Sequence, residues 1–214
     1  MPQYKLTYFP IRGKAECIRM VFAIAGVEFE DVRVHPQDWP KLKESGLSPS
    51  GQLPILEVNG QILTQSKAIL SYVAKELGLA PEDNFQLGQA DMLAGVISEL
   101  EDKLNAAFAN EDQEKKEKAL TAVRELLVSR CEYFEKLLAT NNKRGFFFGE
   151  KLTYADVVVF AFLNSHLLKG KAEGIPELLK DFLALSAWYE LVRTQPKILE
   201  WLKNPPADII DYVY

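Results

Sequence analysis

The feature that most restricts how this chain can fold is a change of hydrophobic period partway along it. Up to Gly78, short strand-like and helical segments alternate, whereas from Gln86 onward apolar residues recur only at helical spacing. Tyr4, Leu6 and Tyr8 share one face of a period-two segment. Ile18, Val21, Phe22 and Ala25 follow at helical spacing within Lys14 to Ala25, and Gly26 is the stop. Val27 to Val34 reads as a second strand. A proline-bounded loop carrying Trp39 and Pro49 leads to a third, Leu53 to Val58. Asn59-Gly60 is a type I′ hairpin signal, which makes Gln61 to Thr64 the antiparallel fourth strand. Ser66 then opens a helix with Ile69, Leu70, Val73 and Leu77 on its inner face and Gly78 at its end. The order βαβ, ββα describes an α/β unit over residues 1–78, a connector over 79–85 and an all-helical unit over 86–214.

In the helical part, Leu93, Val96, Ile97, Leu100 and Leu104 form one stripe. Leu120, Val123, Leu127, Cys131, Phe134 and Leu138 form another. The charge run between them, from Asn110 to Lys118, reads as a solvated turn and helix start. Thr153 and Asp156, placed before the apolar run Val157 to Leu163, have the spacing of a capping box. The 214 residues are 48% hydrophobic, enough for one large core or two modest ones. A net charge of −5 spread over interspersed residues gives no field that would attract nucleic acid. No apolar run is long enough for a signal peptide or a membrane span, so the expected location is cytoplasmic. Cys17 and Cys131 read as buried apolar residues, and His35 and His166 as structural; none of them has a metal-ligand spacing.

The string YFPIRGKAECIR from Tyr8 to Arg19 resembles the opening of glutathione transferases. SGQLPILEVNGQILTQSKAILSYVA resembles their second glutathione-binding segment, and QDWPKLK and GEKLTYADVVVF carry the similarity through nearly the whole chain. The nearest class by resemblance is sigma, which includes haematopoietic-type, glutathione-dependent prostaglandin D synthases. The resemblance implies a thioredoxin-like N-terminal domain, an all-α C-terminal domain, glutathione as cosubstrate and a homodimer. It also implies conjugation of glutathione to hydrophobic electrophiles and leaves room for isomerisation of prostaglandin H2 to D2. The alternative is a non-catalytic crystallin-like protein or ligand carrier on the same fold, against which the retention of Tyr8, Gln65 and Ser66 argues. A thiol-disulfide oxidoreductase is disfavoured because Cys17 lies too deep in its helix.

The chemistry gives its own reason for a tyrosine at the first strand's end. A thiol with a pKa of about 8.5 is only a few per cent thiolate at neutral pH. Lowering that value by about two units needs roughly 2.7 kcal/mol of selective anion stabilisation, and one hydrogen bond to a charged group supplies about 1.5–3 kcal/mol. The resemblance therefore makes Tyr8 the catalytic donor. Arg12 and Lys14 add positive charge nearby, although Lys14 often corresponds to arginine in the family and loses that residue's bidentate reach. Gly13 lets the backbone turn close to the ligand. By resemblance, Leu53-Pro54 is a cis dipeptide that offers the Leu53 backbone to the cysteinyl part of glutathione. Gln65 and Ser66, at a helix N-terminus, take the γ-glutamyl carboxylate, and Trp39, Lys43 and Gln52 contact the glycyl end. Glu99 is the acidic residue expected to reach glutathione bound by the partner subunit. Ser50 stands where some classes place an aromatic key, which implies a more polar two-fold interface. Phe9, Gly13, Asn105, Phe108, Phe162 and Tyr212 are the candidates for the electrophile pocket, and no metal is expected.

Overall fold

β1 (Tyr4–Tyr8) is the strand on which the first half is built, and its Tyr4, Leu6, Thr7 and Tyr8 are all buried. In the computed structural model, which describes residues 2–141 and 145–205, β1 pairs in parallel with β2 (Glu30–Arg33). On its other side β1 runs antiparallel to β3 (Ile55–Val58), which pairs with β4 (Gln61–Thr64) to give the order β2-β1-β3-β4. Between β1 and β2 the chain makes a 3₁₀ turn at Gly13–Ala15 and then α1 (Glu16–Ala25). α3 (Ser66–Glu76) buries Ile69, Leu70, Val73 and Ala74, at the spacing that joins one face of a helix. Asn59 and Gly60 both have positive φ, 49° and 81°, as a type I′ hairpin between β3 and β4 requires.

Two strand starts differ from the sequence reading. β2 begins at Glu30, not Val27, because the Val27 N–H bonds the Phe22 carbonyl at 3.1 Å to finish the α1 cap around Gly26. Phe29 leaves the ladder as well and stacks on Phe22, with ring centroids 4.5 Å apart. β3 begins at Ile55 because Pro54, whose bond to Leu53 is cis, has no N–H to donate. The loop before it holds a short helix, α2 (Trp39–Glu44), with a proline in its first turn.

No strand follows β4 among the described residues: the elements are α3, α4 (Asn84–Phe108), α5 (Gln113–Thr140), α6 (Tyr154–Leu168), a 3₁₀ turn (Glu177–Asp181), α7 (Leu183–Arg193) and α8 (Pro196–Lys203). Leu93, Ile97 and Leu100 of the first stripe are buried, as are Leu127, Cys131, Phe134 and Leu138 of the second. Asp112 caps α5 by accepting from the Lys115 amide at 3.1 Å, so the charge run is a turn and a helix start. Cys17 and Cys131 are free thiols in the core. α6 is buried from Tyr154 through Asn164, the pattern of a helix enclosed on all sides. It packs on α1 of the first half and on α4 and α7 of the second, which makes it the pillar shared by the two.

The start of α6 is held by one carboxylate. Asp156, fully buried, accepts from the Thr153 amide (2.9 Å) and hydroxyl (3.0 Å), which with the reciprocal Thr153 contact completes a capping box. Its other oxygen accepts from the Phe147 amide and the Trp188 indole, each at 2.9 Å. One residue thus ties together the loop before α6, α6 itself and α7. Asp156→Ala leaves several buried donors without a partner and is expected to cost about 4 kcal/mol of unfolding free energy in urea titrations. A loss below about 1 kcal/mol would show that these bonds are replaceable.

Candidate functional site

The site grows from the C-terminal end of β1. After Tyr8 the chain runs through Phe9–Arg12 into the 3₁₀ turn, which curls back until the Lys14 amide donates to Tyr8 Oη at 3.3 Å. The approach depends on Gly13: its φ is +40°, and a Cβ there would lie 2.8 Å from the Tyr8 oxygen. The Tyr8 ring contacts Phe9, centroids 5.6 Å apart, and Phe9 meets Trp39 edge-on at 6.2 Å. Aromatic contacts thereby connect the strand end with α2.

A second chain of contacts runs from α2 to α3. The Lys43 stem lies over Gly51, where an added Cβ would approach Lys43 Cε to 3.2 Å. The Gln52 backbone is fastened by Ser48, whose buried hydroxyl accepts from its amide at 3.0 Å and donates to its carbonyl at 2.6 Å. Gln52 Oε1 accepts from Gln65 Nε2 at 3.4 Å. Gln65 takes an unusual backbone conformation, φ 72°, immediately before Ser66 opens α3. The first amides of α3 carry the partial positive charge of a helix N-terminus, a seat for an anion. Lys43, Gln52 and Gln65 are exposed and Trp39, Leu53 and Ser66 half-buried, so this rim is accessible from outside.

The helical half closes the other side. Lys14 Nζ pairs with Asp102 Oδ1 of α4 at 2.5 Å, a bridge between the halves. Beside it a cavity of about 20 Å³ is lined by Gly13, Lys14, Ser66, Glu101, Phe162 and His166, room for about one water. Burial pushes the Glu101 carboxyl up to about 7; Lys14 opposes this and Asp102 reinforces it. Burial likewise pushes the His166 imidazole down to about 4, so it is neutral at physiological pH, with its ring 4.4 Å from that of Phe162.

Tyr8, Gly13, Lys14, Trp39, Lys43, Gln52, Gln65 and Ser66 are therefore linked through contacts into one rim, with the Leu53–Pro54 bond directly after Gln52. Phe162 reaches the interior of the cleft. Glu99 is not part of the rim. Its carboxylate accepts from Arg130 Nη2 of α5 at 3.1 Å and lies 3.9 Å from Lys103, on the face of α4 turned toward α5. Asn105 and Phe108 follow Glu101 by four and seven residues, on the same face of α4 but farther out, and the Phe108 ring centroid lies 5.3 Å from the Lys116 ammonium. Tyr212 lies outside the described residues.

Glu101 and Asp102 were not among the residues expected from the sequence. Helical phase was the available signal for Glu101, which stands four residues after the buried Ile97 and one after Leu100, on the flank of the apolar stripe. Among the described residues no group of three His, Cys, Asp or Glu is placed to hold a metal ion, and no helix is long and apolar enough to cross a membrane.

The chain is similar over nearly its whole length to one family of known proteins. Residues 4–75 match the model of the glutathione S-transferase N-terminal domain, and residues 98–205 that of the C-terminal domain. The chain is 37% identical over 212 residues to glutathione S-transferase 1 of Ascaris suum, covering 96% of this chain and 98% of that one. It is 36% identical over 211 residues to a hematopoietic prostaglandin D synthase of Gallus gallus, covering 98% and 100%. Among solved structures, a glutathione S-transferase of Ascaris lumbricoides superposes with a TM-score of 0.80 at 35% identity, covering 98% of this chain and all (100%) of that one.

Two outcomes follow from the geometry. Gly13→Ala drives a methyl group into the Tyr8 hydroxyl and is expected to lower any activity that uses it by about tenfold or more, at a stability cost of about 1–3 kcal/mol. Steady-state rates and thermal unfolding measure the two effects separately. Glu101, raised in the folded state from 4.5 to about 7, holds its proton more tightly folded than unfolded. Its contribution therefore declines as pH rises from about 4.5 to about 7 and is level above that. Glu101→Gln should accordingly gain in Tm relative to the unmodified protein across that window, and a Tm difference that does not change with pH would contradict the assignment.

Proposed function

Because the chain belongs to the glutathione S-transferase family, we propose that it conjugates the thiol of glutathione to hydrophobic electrophiles, with Tyr8 as the residue that favours the thiolate. The supporting observation is the Lys14 amide donating to Tyr8 Oη. A phenol that accepts an N–H is oriented and strengthened as a donor. Protonated at neutral pH, it donates to a sulfur anion and does not act as a base. Such a bond is worth about 1.5–3 kcal/mol, the magnitude needed to shift a thiol by one to two pKa units.

The rim supplies a seat for the rest of the tripeptide. Ser66 and the first amides of α3, with Gln65 held before them, receive the γ-glutamyl carboxylate. The Leu53 backbone, just before β3, pairs with the cysteinyl portion as an added strand. Trp39, Lys43 and Gln52 hold the glycyl end, Lys43 by its charge. Lys14 adds positive potential beside the sulfur, tempered by its pairing with Asp102. In this reading residues 1–78 bind glutathione and 86–214 supply the electrophile side, with 79–85 as connector. Phe9, Gly13 and Phe162 form its inner wall; Asn105 and Phe108 extend it along α4, and Tyr212 completes it from the tail. The protein acts in the cytoplasm, in the sigma class, as a homodimer. Glu99 of one subunit would reach glutathione bound by its partner only by giving up its bonds to Arg130 and Lys103.

Isomerisation of prostaglandin H2 is the second chemistry the same thiolate supports: it attacks one peroxide oxygen, forming an S–O bond as the O–O bond breaks and the other oxygen becomes a hydroxyl, and is expelled when the carbon bearing the S–O oxygen loses its proton to a base and becomes a ketone. The likeness to hematopoietic prostaglandin D synthase favours it. A crystallin-like or carrier role needs neither a phenol held at its oxygen nor a thiolate.

Tyr8→Phe should keep glutathione binding within a few-fold, lower kcat with 1-chloro-2,4-dinitrobenzene by about 10- to 100-fold and raise the apparent pKa of the bound thiol by one to two units. Ultraviolet titration of the mercaptide band measures the latter. Unchanged turnover and an unchanged thiol titration would refute the role of Tyr8.

A further inference from the structure

Beneath the Tyr8 loop lies a cation that the reaction scheme above does not use. Arg19, on α1, is 0% exposed, and its Cζ sits 5.9 Å from the centroid of the Tyr8 ring. Nη1 donates to the carbonyl of Ile11 at 2.8 Å and to that of Arg12 at 3.4 Å, and Nη2 donates to the carbonyl of Phe9 at 3.5 Å. Nε donates to both oxygens of Asp31 on β2, at 3.2 and 3.1 Å. Asp31 stands opposite Leu6 in the sheet and also accepts from Arg33 Nε (3.1 Å) and Nη2 (2.7 Å). Three of the four carbonyls between the strand and the turn thus hang on one guanidinium, which is itself fixed to the sheet. Lysine, with one compact ammonium, cannot make this fork.

The same segment is held from the helical half. Arg12 Nη1 donates to Glu16 Oε1 at 3.1 Å, and that oxygen also accepts from the Trp201 indole of α8 at 3.0 Å. The other Glu16 oxygen lies 3.8 Å from Arg19 Nη1. The Arg12 guanidinium occupies the space over Gly170 after α6, where an added Cβ would fall 2.1 Å from Arg12 Cζ. Phe9–Arg12 is therefore a short segment between two fixed supports, and the amide that meets Tyr8 Oη lies two residues beyond it.

We propose that Arg19 is a positioning residue for Tyr8: it holds Phe9–Arg12 so that the Lys14 amide meets the phenol oxygen, and it places positive charge against the phenol ring. Both effects make the hydroxyl a better donor to a sulfur anion. The first fixes its orientation, and the second withdraws electron density from a ring within cation–π range. The inference rests on the thiolate-donor reading of Tyr8, and the test separates the two.

The test is a double-mutant cycle on Tyr8→Phe and Arg19→Lys, read by kcat and by the apparent pKa of the thiol in the glutathione complex. Arg19→Lys alone is expected to lower kcat by about tenfold and raise the thiol pKa by about one unit, with KM for glutathione changed less than threefold. In the Tyr8→Phe background the same substitution should change kcat by no more than about twofold and the thiol pKa by no more than about 0.3 unit, because there is no hydroxyl left to position. An equal loss in both backgrounds, or no loss in either, overturns the proposal. An unchanged thiol pKa in Tyr8→Phe itself overturns the reading on which it rests, which is a distinguishable result. If Arg19→Lys does not fold, Asp31→Asn takes its place in the cycle; it keeps the guanidinium but loosens its anchor, and the same non-additivity is expected at a smaller amplitude.

Discussion

The bond from the Lys14 amide to Tyr8 Oη is the contact to which the rest of the structure is referred. It closes a loop between the end of a central strand and the first turn of the following helix, and each neighbouring element bears on that closure. The sheet sets the position of the phenol, Gly13 lets the backbone come close enough, and α1 carries Arg19 and Glu16 beneath the loop. A neutral hydroxyl held this way presents a proton to an anion without becoming charged itself. That is the requirement of a reaction whose nucleophile belongs to a cosubstrate.

Charge is distributed across the cleft with similar economy. Three carboxylates lie within four residues of α4, and helical phase gives each a different environment. Glu99 faces Arg130, Asp102 bridges to Lys14, and Glu101 turns toward the cavity, where burial raises its pKa. Lys14 therefore reaches the site already paired with a carboxylate from the other half. Its effect on a thiolate depends on how firmly Asp102 holds it.

Much of the fold was legible because periodicity and punctuation agreed. The hairpin at Asn59-Gly60, the helix opening at Ser66, the Thr153–Asp156 capping box and the switch to helical spacing each had a local cause that the structure retains. Where the reading slipped, a non-local or competing bond had decided the outcome. Val27 gave its amide to the end of α1 in place of the ladder, and Pro54 had none to give. Site chemistry was less legible for the same reason. The string from Tyr8 to Lys14 places the phenol, but which acidic residue of α4 faces it depends on packing between halves far apart in sequence. Nothing in the spacing of Arg19 says that three loop carbonyls converge on it.

Gly170 shows how far that interdependence extends. It lacks a side chain where a guanidinium from the other end of the molecule fills the space, so the two halves interlock and do not merely abut. An exchange of the helical portion between relatives by recombination would keep the proposed glutathione seat in outline, yet bring a new residue against Arg12 and a new partner for Glu16. Chimaeras joined at the connector would then differ in how sharply they tune the nucleophile even with every proposed glutathione contact retained.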